Sequence, residues 1–126
     1  MLKARDVMTT EVITIDPETM LEEAIEKLVN NKISGMPVCD KAGHIIGMIS
    51  EKDILNFIFS GNIKNTKVKE AMSSHIIGFP PDAELDKIAL VMGEKQIRRV
   101  PIIENGKLLG IVSRRSIIKI VLSMPK

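Results

Sequence analysis

A repeat constrains this chain more than any other feature. Residues 6–40 lie on residues 70–104 at a constant shift of 64. Met8, Ile13, Pro17, Leu21, Ile33 and Pro37 fall on Met72, Ile77, Pro81, Leu85, Ile97 and Pro101. The turn DKAGH then holds one residue more than its counterpart ENGK. Beyond it the shift is 63, so that Gly43, Gly47, Ser50 and Ile54 fall on Gly106, Gly110, Ser113 and Ile117. A glycine-bearing turn is where a length change does least harm. Ordered self-similarity of this kind means one supersecondary unit built twice.

Each repeat reads alike. A short β-rich run, Val12–Ile15 or Ile76–Phe79, is broken by Pro17 or Pro81. An amphipathic helix follows, with Leu21, Ala24, Ile25 and Leu28 at i, i+3, i+4 and i+7; Leu85, Ile88, Ala89 and Met92 repeat that spacing. Thr19 with Glu22 fits a capping box for the first of these helices. Two strands come next, Met36–Cys39 and Ile45–Ile49, matched by Val100–Ile103 and Leu108–Val112 and joined as hairpins. A second helix begins after Ser50 or Ser113 and runs to about Ser60 or Leu122. The strands are nearly continuous apolar runs, which predicts sheets buried on both faces. The fold class is therefore α+β (mixed α/β): two pseudo-symmetric units, each a small sheet with two packed helices. The expected organisation is unit 1 at 1–60, a linker at 61–66 (GNIKNT) and unit 2 at 67–126. A unit of about 60 residues is marginal for burial alone, so two would cover each other's apolar surface.

Composition narrows the function. Three Phe are the only aromatic residues, so the core must be aliphatic and base-stacking platforms are disfavoured. The net charge of +2 is unevenly spread: residues 1–66 carry −3 and residues 67–126 carry +5. The second half is thus the candidate anion-facing half. No apolar run approaches the ~18 residues of a membrane span, and the N-terminus shows no apolar signal stretch. The single cysteine, Cys39, cannot form an internal disulfide, and a cytoplasmic location is expected. His44, His75 and Cys39 lack metal-ligand spacing. His44 in its turn is expected to be solvated and Cys39 in its strand to be buried. No phosphate-cradling loop, dinucleotide fingerprint or nucleophile elbow is present, and Asp53 has no evident second carboxylate, so the chain does not read as an enzyme.

Three patterns occur twice, in order. Each repeat opens with DVMTTEVITIDP or EAMSSHIIGFPP, continues with SGMPVCD or RRVPIIE, and ends with GMISEKDIL or GIVSRRSII. This arrangement resembles a tandem pair of CBS domains (the module named after cystathionine β-synthase), and the resemblance covers essentially the whole chain. It implies a stand-alone regulatory module whose two clefts between the units take adenosine-containing ligands: AMP, ADP, ATP or S-adenosylmethionine. No cofactor is required. It also implies a homodimer signalling to an unidentified protein partner, without nucleic acid or membrane.

The resemblance assigns the Ser-x-x-Asp segment, Ser50 to Asp53, to nucleotide contact, with the Asp53 carboxylate accepting from ribose hydroxyls. The same residues also read as an ordinary N-cap with an acid three residues on. Repeat two has Ser113 to Ser116, with serine where the acid would stand. The favoured cleft is therefore that of Met48, Ser50, Lys52 and Asp53, completed by Ile76, Ile77, Ile97, Arg98 and Arg99. The weaker cleft comprises Val12, Ile13, Thr14, Ile33, Ser34, Ile111, Ser113 and Ser116. Four of the five arginines form two pairs, Arg98-Arg99 and Arg114-Arg115. Their planar forks of donors suit phosphate oxygens. Arg114 and Arg115 open a helix, where the macrodipole disfavours cations, so a bound phosphate or an acidic partner would offset them. The alternative for them is a solvated face. The alternative for the whole chain is a ligand-independent interaction or oligomerisation module with degenerate clefts.

Overall fold

The computed structural model describes residues 2–59 and 62–124; Ser60, the expected end of the first repeat's second helix, lies outside them. In chain order the elements are α1 (Ala4–Val7), α2 (Leu21–Asn31), β1 (Gly35–Cys39), β2 (Ile45–Ser50), α3 (Glu51–Ile58) and a 3-10 turn at Ile63–Asn65. The second series is α4 (Val68–Ala71), α5 (Leu85–Lys95), β3 (Arg99–Glu104), β4 (Lys107–Ser113) and α6 (Arg114–Ser123). Mixed helix and strand, with a small antiparallel hairpin in each repeat, is the predicted class.

The hairpins differ in their turns as the sequence suggests. Asn105 and Gly106 both adopt positive φ between the paired Glu104 and Lys107, the geometry of a tight two-residue turn. The longer turn is held by Asp40, whose Oδ1 accepts from the N–H groups of Ala42 and His44, both at 2.9 Å. Both ladders then shift register at the same place, between Val38 and Cys39 and between Ile102 and Ile103. The helices also end alike: α2 and α5 close on Lys32 and Gln96, each left-handed at φ 54.

Three expectations are corrected. Val12–Ile15 and Ile76–Phe79 form no strand of their own. Each contributes one residue as a parallel bridge, Ile15 to Val38 and Phe79 to Ile102, and the proline two residues on has no N–H to extend the ladder. Thr19 and Glu22 do not cap α2, which begins after Met20 without a side-chain cap. The Leu21 N–H instead donates to the Thr66 carbonyl at 2.8 Å, as that of Leu85 does to Leu2 at 3.0 Å in α5. Backbone from a neighbouring segment thus satisfies the first helical donor. Finally, only β1 is buried along most of its length and β3 over Val100, Pro101 and Ile102; β2 and β4 alternate, with Gly47 and Ile49, and Gly110 and Val112, turned inward.

The chain divides into two compact units whose borders are not those of the repeats. The central unit comprises the described residues of Ile13–Ile76; the terminal unit comprises those of Met1–Val12 and Ile77–Lys126. The reason lies at the hairpin edges. In the central unit, Ser73 exchanges two backbone hydrogen bonds with Met48 on the outer edge of β2, both 2.9 Å. In the terminal unit, Thr9 does the same with Ile111 on β4, at 2.9 and 3.0 Å. Thr9 and Ser73 are repeat equivalents, so each repeat's opening segment serves the other repeat's hairpin. Each core follows suit: Val68 of α4 is fully buried with Leu21, Met36, Val38 and Ile49, and Ala4 of α1 with Ile88, Val100, Ile102 and Val112. The buried cores are aliphatic throughout, as the composition required.

Candidate functional site

The junction between β2 and α3 carries the first site. Ser50 is extended (φ −130, ψ 168), the conformation of a residue that ends a strand and caps a helix. Its Oγ accepts from the Asp53 N–H at 3.3 Å, while Asp53 Oδ2 accepts from the Ser50 N–H and hydroxyl, both at 2.9 Å. A reciprocal box results, which fixes the half-buried Asp53 carboxylate against the start of the helix. Both bonds fall on Oδ2; among the described residues none is made to Oδ1. Ser34 joins this end of the hairpin, since its carbonyl accepts from the Glu51 N–H at 3.0 Å and Gly35 pairs with Ser50.

The junction between β4 and α6 repeats the arrangement with different chemistry. Ser113 Oγ accepts from the Ser116 N–H at 3.0 Å and lies 2.6 Å from Ser116 Oγ. The Arg98 carbonyl accepts from the Arg114 N–H at 2.8 Å, and Arg99 pairs with Ser113. Arg98, Arg114 and Arg115 are exposed and Arg99 is half-buried.

Each predicted residue set divides between the two units. Met48, Ser50, Lys52, Asp53 and Ile76 belong to the central unit, and Ile77, Ile97, Arg98 and Arg99 to the terminal unit. Met48 is half-buried under its bonds to Ser73, and Lys52 is exposed on α3. Ile97 packs against the terminal core. Of the weaker set, Ile13, Thr14, Ile33 and Ser34 are central; Val12, Ile111, Ser113 and Ser116 are terminal. Ile33 packs on the central core, and the Thr14 carbonyl accepts from Lys27 Nζ at 2.8 Å.

One charged cluster escaped the sequence reading. Glu18 meets Lys69 at 2.8 Å and Lys67 at 2.9 Å. Hydrogen bonds first from Lys69 and then from Lys67 pull its carboxyl from 4.5 down to about 2, and Glu18 in turn raises Lys67. These lysines open α4, whose N–H groups at Val68 and Lys69 donate to the carbonyls of Thr19 and Pro17. The signal was present only as acid and base 49 and 51 residues apart. An open groove of about 650 Å³ runs past Asp16, Glu18, Glu23, Asp40 and Lys41. Asp40 also meets His44 Nδ1 at 3.2 Å and lies below its ordinary value, chiefly through the His44 N–H. Cys39 is half-buried rather than fully buried, and burial, then Asp40, pushes its thiol up. Among the described residues no helix is long and apolar enough to cross a membrane.

Comparison with known proteins gives a consistent result. The family model described as "CBS domain" matches residues 4–60 and again residues 68–123. The CBS domain-containing protein YhcV of Bacillus subtilis (strain 168) is 32% identical over 114 residues, 90% of this chain and 81% of that protein. Two longer archaeal relatives are spanned over only 42% and 23% of their length. The structure of CBSX2 in complex with AMP matches with TM-score 0.88 at 26% identity, covering 98% of both chains. The CBS domain pair of MJ0100, in complex with 5'-methylthioadenosine and S-adenosyl-L-methionine, shares the fold at TM-score 0.82 and 24% identity, over 97% of both chains.

Proposed function

The chain belongs to the CBS domain family, and on that premise we propose that it is a regulatory module that binds AMP, ADP, ATP or S-adenosylmethionine with Asp53 as ribose acceptor. One observation carries this reading: Asp53 Oδ2 is held by Ser50, and Oδ1 takes no hydrogen bond among the described residues. A ribose diol offers two hydroxyl donors, and an ionised carboxylate is acceptor-only. The capping and ligand readings of Ser50 and Asp53 then coexist, because the cap holds the carboxylate ready. AMP bound to CBSX2, a protein alike over 98% of the chain, supports the ligand class. By the family resemblance, Met48, Lys52 and Ile76, of the same unit as Asp53, join the site.

A ligand regulates only if it binds two conformations with different affinity. The proposal therefore includes a partner, a second copy of the chain or another cytoplasmic protein, that reads the change. Isothermal titration of the four ligands tests it: at least one should bind, and no heat from any of them at millimolar concentration would overturn it.

One observation favours a second reading, an interaction module whose clefts have degenerated. Ser116 stands where an acid would accept ribose and is occupied with Ser113. A dimer whose melting temperature ignores all four ligands would decide for that reading.

A further inference from the structure

Two of the eight methionines stand in the same setting, one in each unit. Met8 closes α1 and Met72 closes α4. Each N–H donates at 2.9 Å to the carbonyl of a fully buried residue, Ala4 or Val68. The next residue, Thr9 or Ser73, holds the outer edge of a hairpin through Ile111 or Met48. Between these two anchors the methionine side chain lies on the hairpin's buried glycine. A Cβ on Gly47 would meet the Met72 sulfur at 2.6 Å, and one on Gly110 the Met8 sulfur at 2.9 Å. Met72 also packs on the central core and Met8 on the terminal core, yet both residues are only half-buried. Other methionines differ: Met36 and Met92 are buried within the cores, and Met20 and Met124 are exposed.

We propose that Met8 and Met72 are reversible oxidation sites, at which hydrogen peroxide loosens the segment that holds the edge of each hairpin. The thioether sulfur attacks one peroxide oxygen; the O–O bond breaks and an S–O bond forms. The sulfur gives up two electrons to the peroxide, and the second oxygen leaves as water with the proton from the first. The product, a sulfoxide, is polar where the thioether was apolar. Its oxygen faces a penalty against an aliphatic core and is satisfied by turning to water. That movement draws the side chain off the glycine, and the bonds of Thr9 and Ser73, one residue on, loosen with it. Methionine sulfoxide reductases return the thioether, so the change is reversible. The inference does not depend on Asp53 as ribose acceptor.

Treatment of the full chain with hydrogen peroxide tests it, with sulfoxides located by peptide mass spectrometry and amide exchange read at Met48 and Ile111. Both methionines should oxidise, and exchange at both amides should quicken by about tenfold or more. Met72→Leu keeps an apolar side chain without the sulfur. After peroxide it should keep the Met48 amide protected while Ile111 still loses protection, and Met8→Leu should do the reverse. Both variants retain Cys39, Met20 and Met124, so oxidation elsewhere is separated from the effect. Reduction of the oxidised wild type by methionine sulfoxide reductases should restore both amides, a readout that needs no variant to fold. Met8 and Met72 remaining thioethers while Met20 and Met124 oxidise would overturn the proposal. So would oxidation at both sites with unchanged exchange, or the same loss of protection in the leucine variants as in the wild type.

Discussion

Asp53 shows how far a single residue can be read from sequence. Its place three residues after Ser50 allowed a cap or a ligand contact, and spacing alone could not separate them. The physical reason is that the cap uses Oδ2, while among the described residues no hydrogen bond is made to Oδ1, so the cap does not exclude a ligand contact. Ser50→Ala removes the acceptor of the Asp53 N–H, so it should cost about 1 kcal/mol, read as a lower urea midpoint at unchanged slope. An unchanged midpoint would mean that the box adds nothing. Glu18 makes a pH-dependent prediction. Its folded value, about 2, lies below its ordinary 4.5, so its contribution is full above pH 4.5 and disappears as pH falls from there through about 2. The pair is exposed, so the effect should be small. Glu18→Gln should flatten that part of the acid limb in a urea series, and an identical acid limb would count against the pairing. This cluster was invisible in the sequence because nothing local marks a contact between residues 18, 67 and 69.

At the scale of elements, periodic patterns were the most legible. The spacing of Leu21, Ala24 and Leu28 became the buried face of α2, and Leu85, Ile88 and Met92 that of α5. Both hairpins and their unequal turns followed from apolar runs joined by glycine-bearing turns. The single-residue bridges at Ile15 and Phe79 were not legible as such, because β-rich composition does not say whether a ladder extends. The Thr19 cap failed for a related reason: a backbone carbonyl from residue 66 took the role, and long-range backbone bonding leaves no local motif. Gly47 and Gly110 report on the edge contacts. A Cβ on Gly47 would lie 2.8 Å from the Ser73 carbonyl oxygen, and on Gly110 2.8 Å from that of Thr9. Gly47→Ala should therefore destabilise by about 1–3 kcal/mol in chemical denaturation. Tolerance of alanine there without loss would show that the Ser73 segment is not held against β2.

For the whole molecule, the repeat in sequence and the compact unit in space have different borders. Residues 2–12 pack with 77–124, and the segment after the 3-10 turn packs with the first hairpin. Deleting residues 1–12 should thus loosen the terminal unit and spare the central one. In hydrogen exchange the Ile111 amide, which donates to Thr9, should lose protection while the Met48 amide keeps it. Equal loss at both positions would contradict these borders. Identity of the family was legible from the doubled motifs; the exchange of opening segments was not, since a shift of 64 is the same whichever hairpin a segment serves. Asp53 as ribose acceptor is the residue on which the proposed function turns. The most direct measurement is a calorimetric titration of AMP into the wild-type chain and into Asp53→Asn, both checked for unchanged circular dichroism. Saturable binding to the wild type, weakened at least tenfold by the substitution, is the predicted result; equal affinity in the two proteins would contradict it.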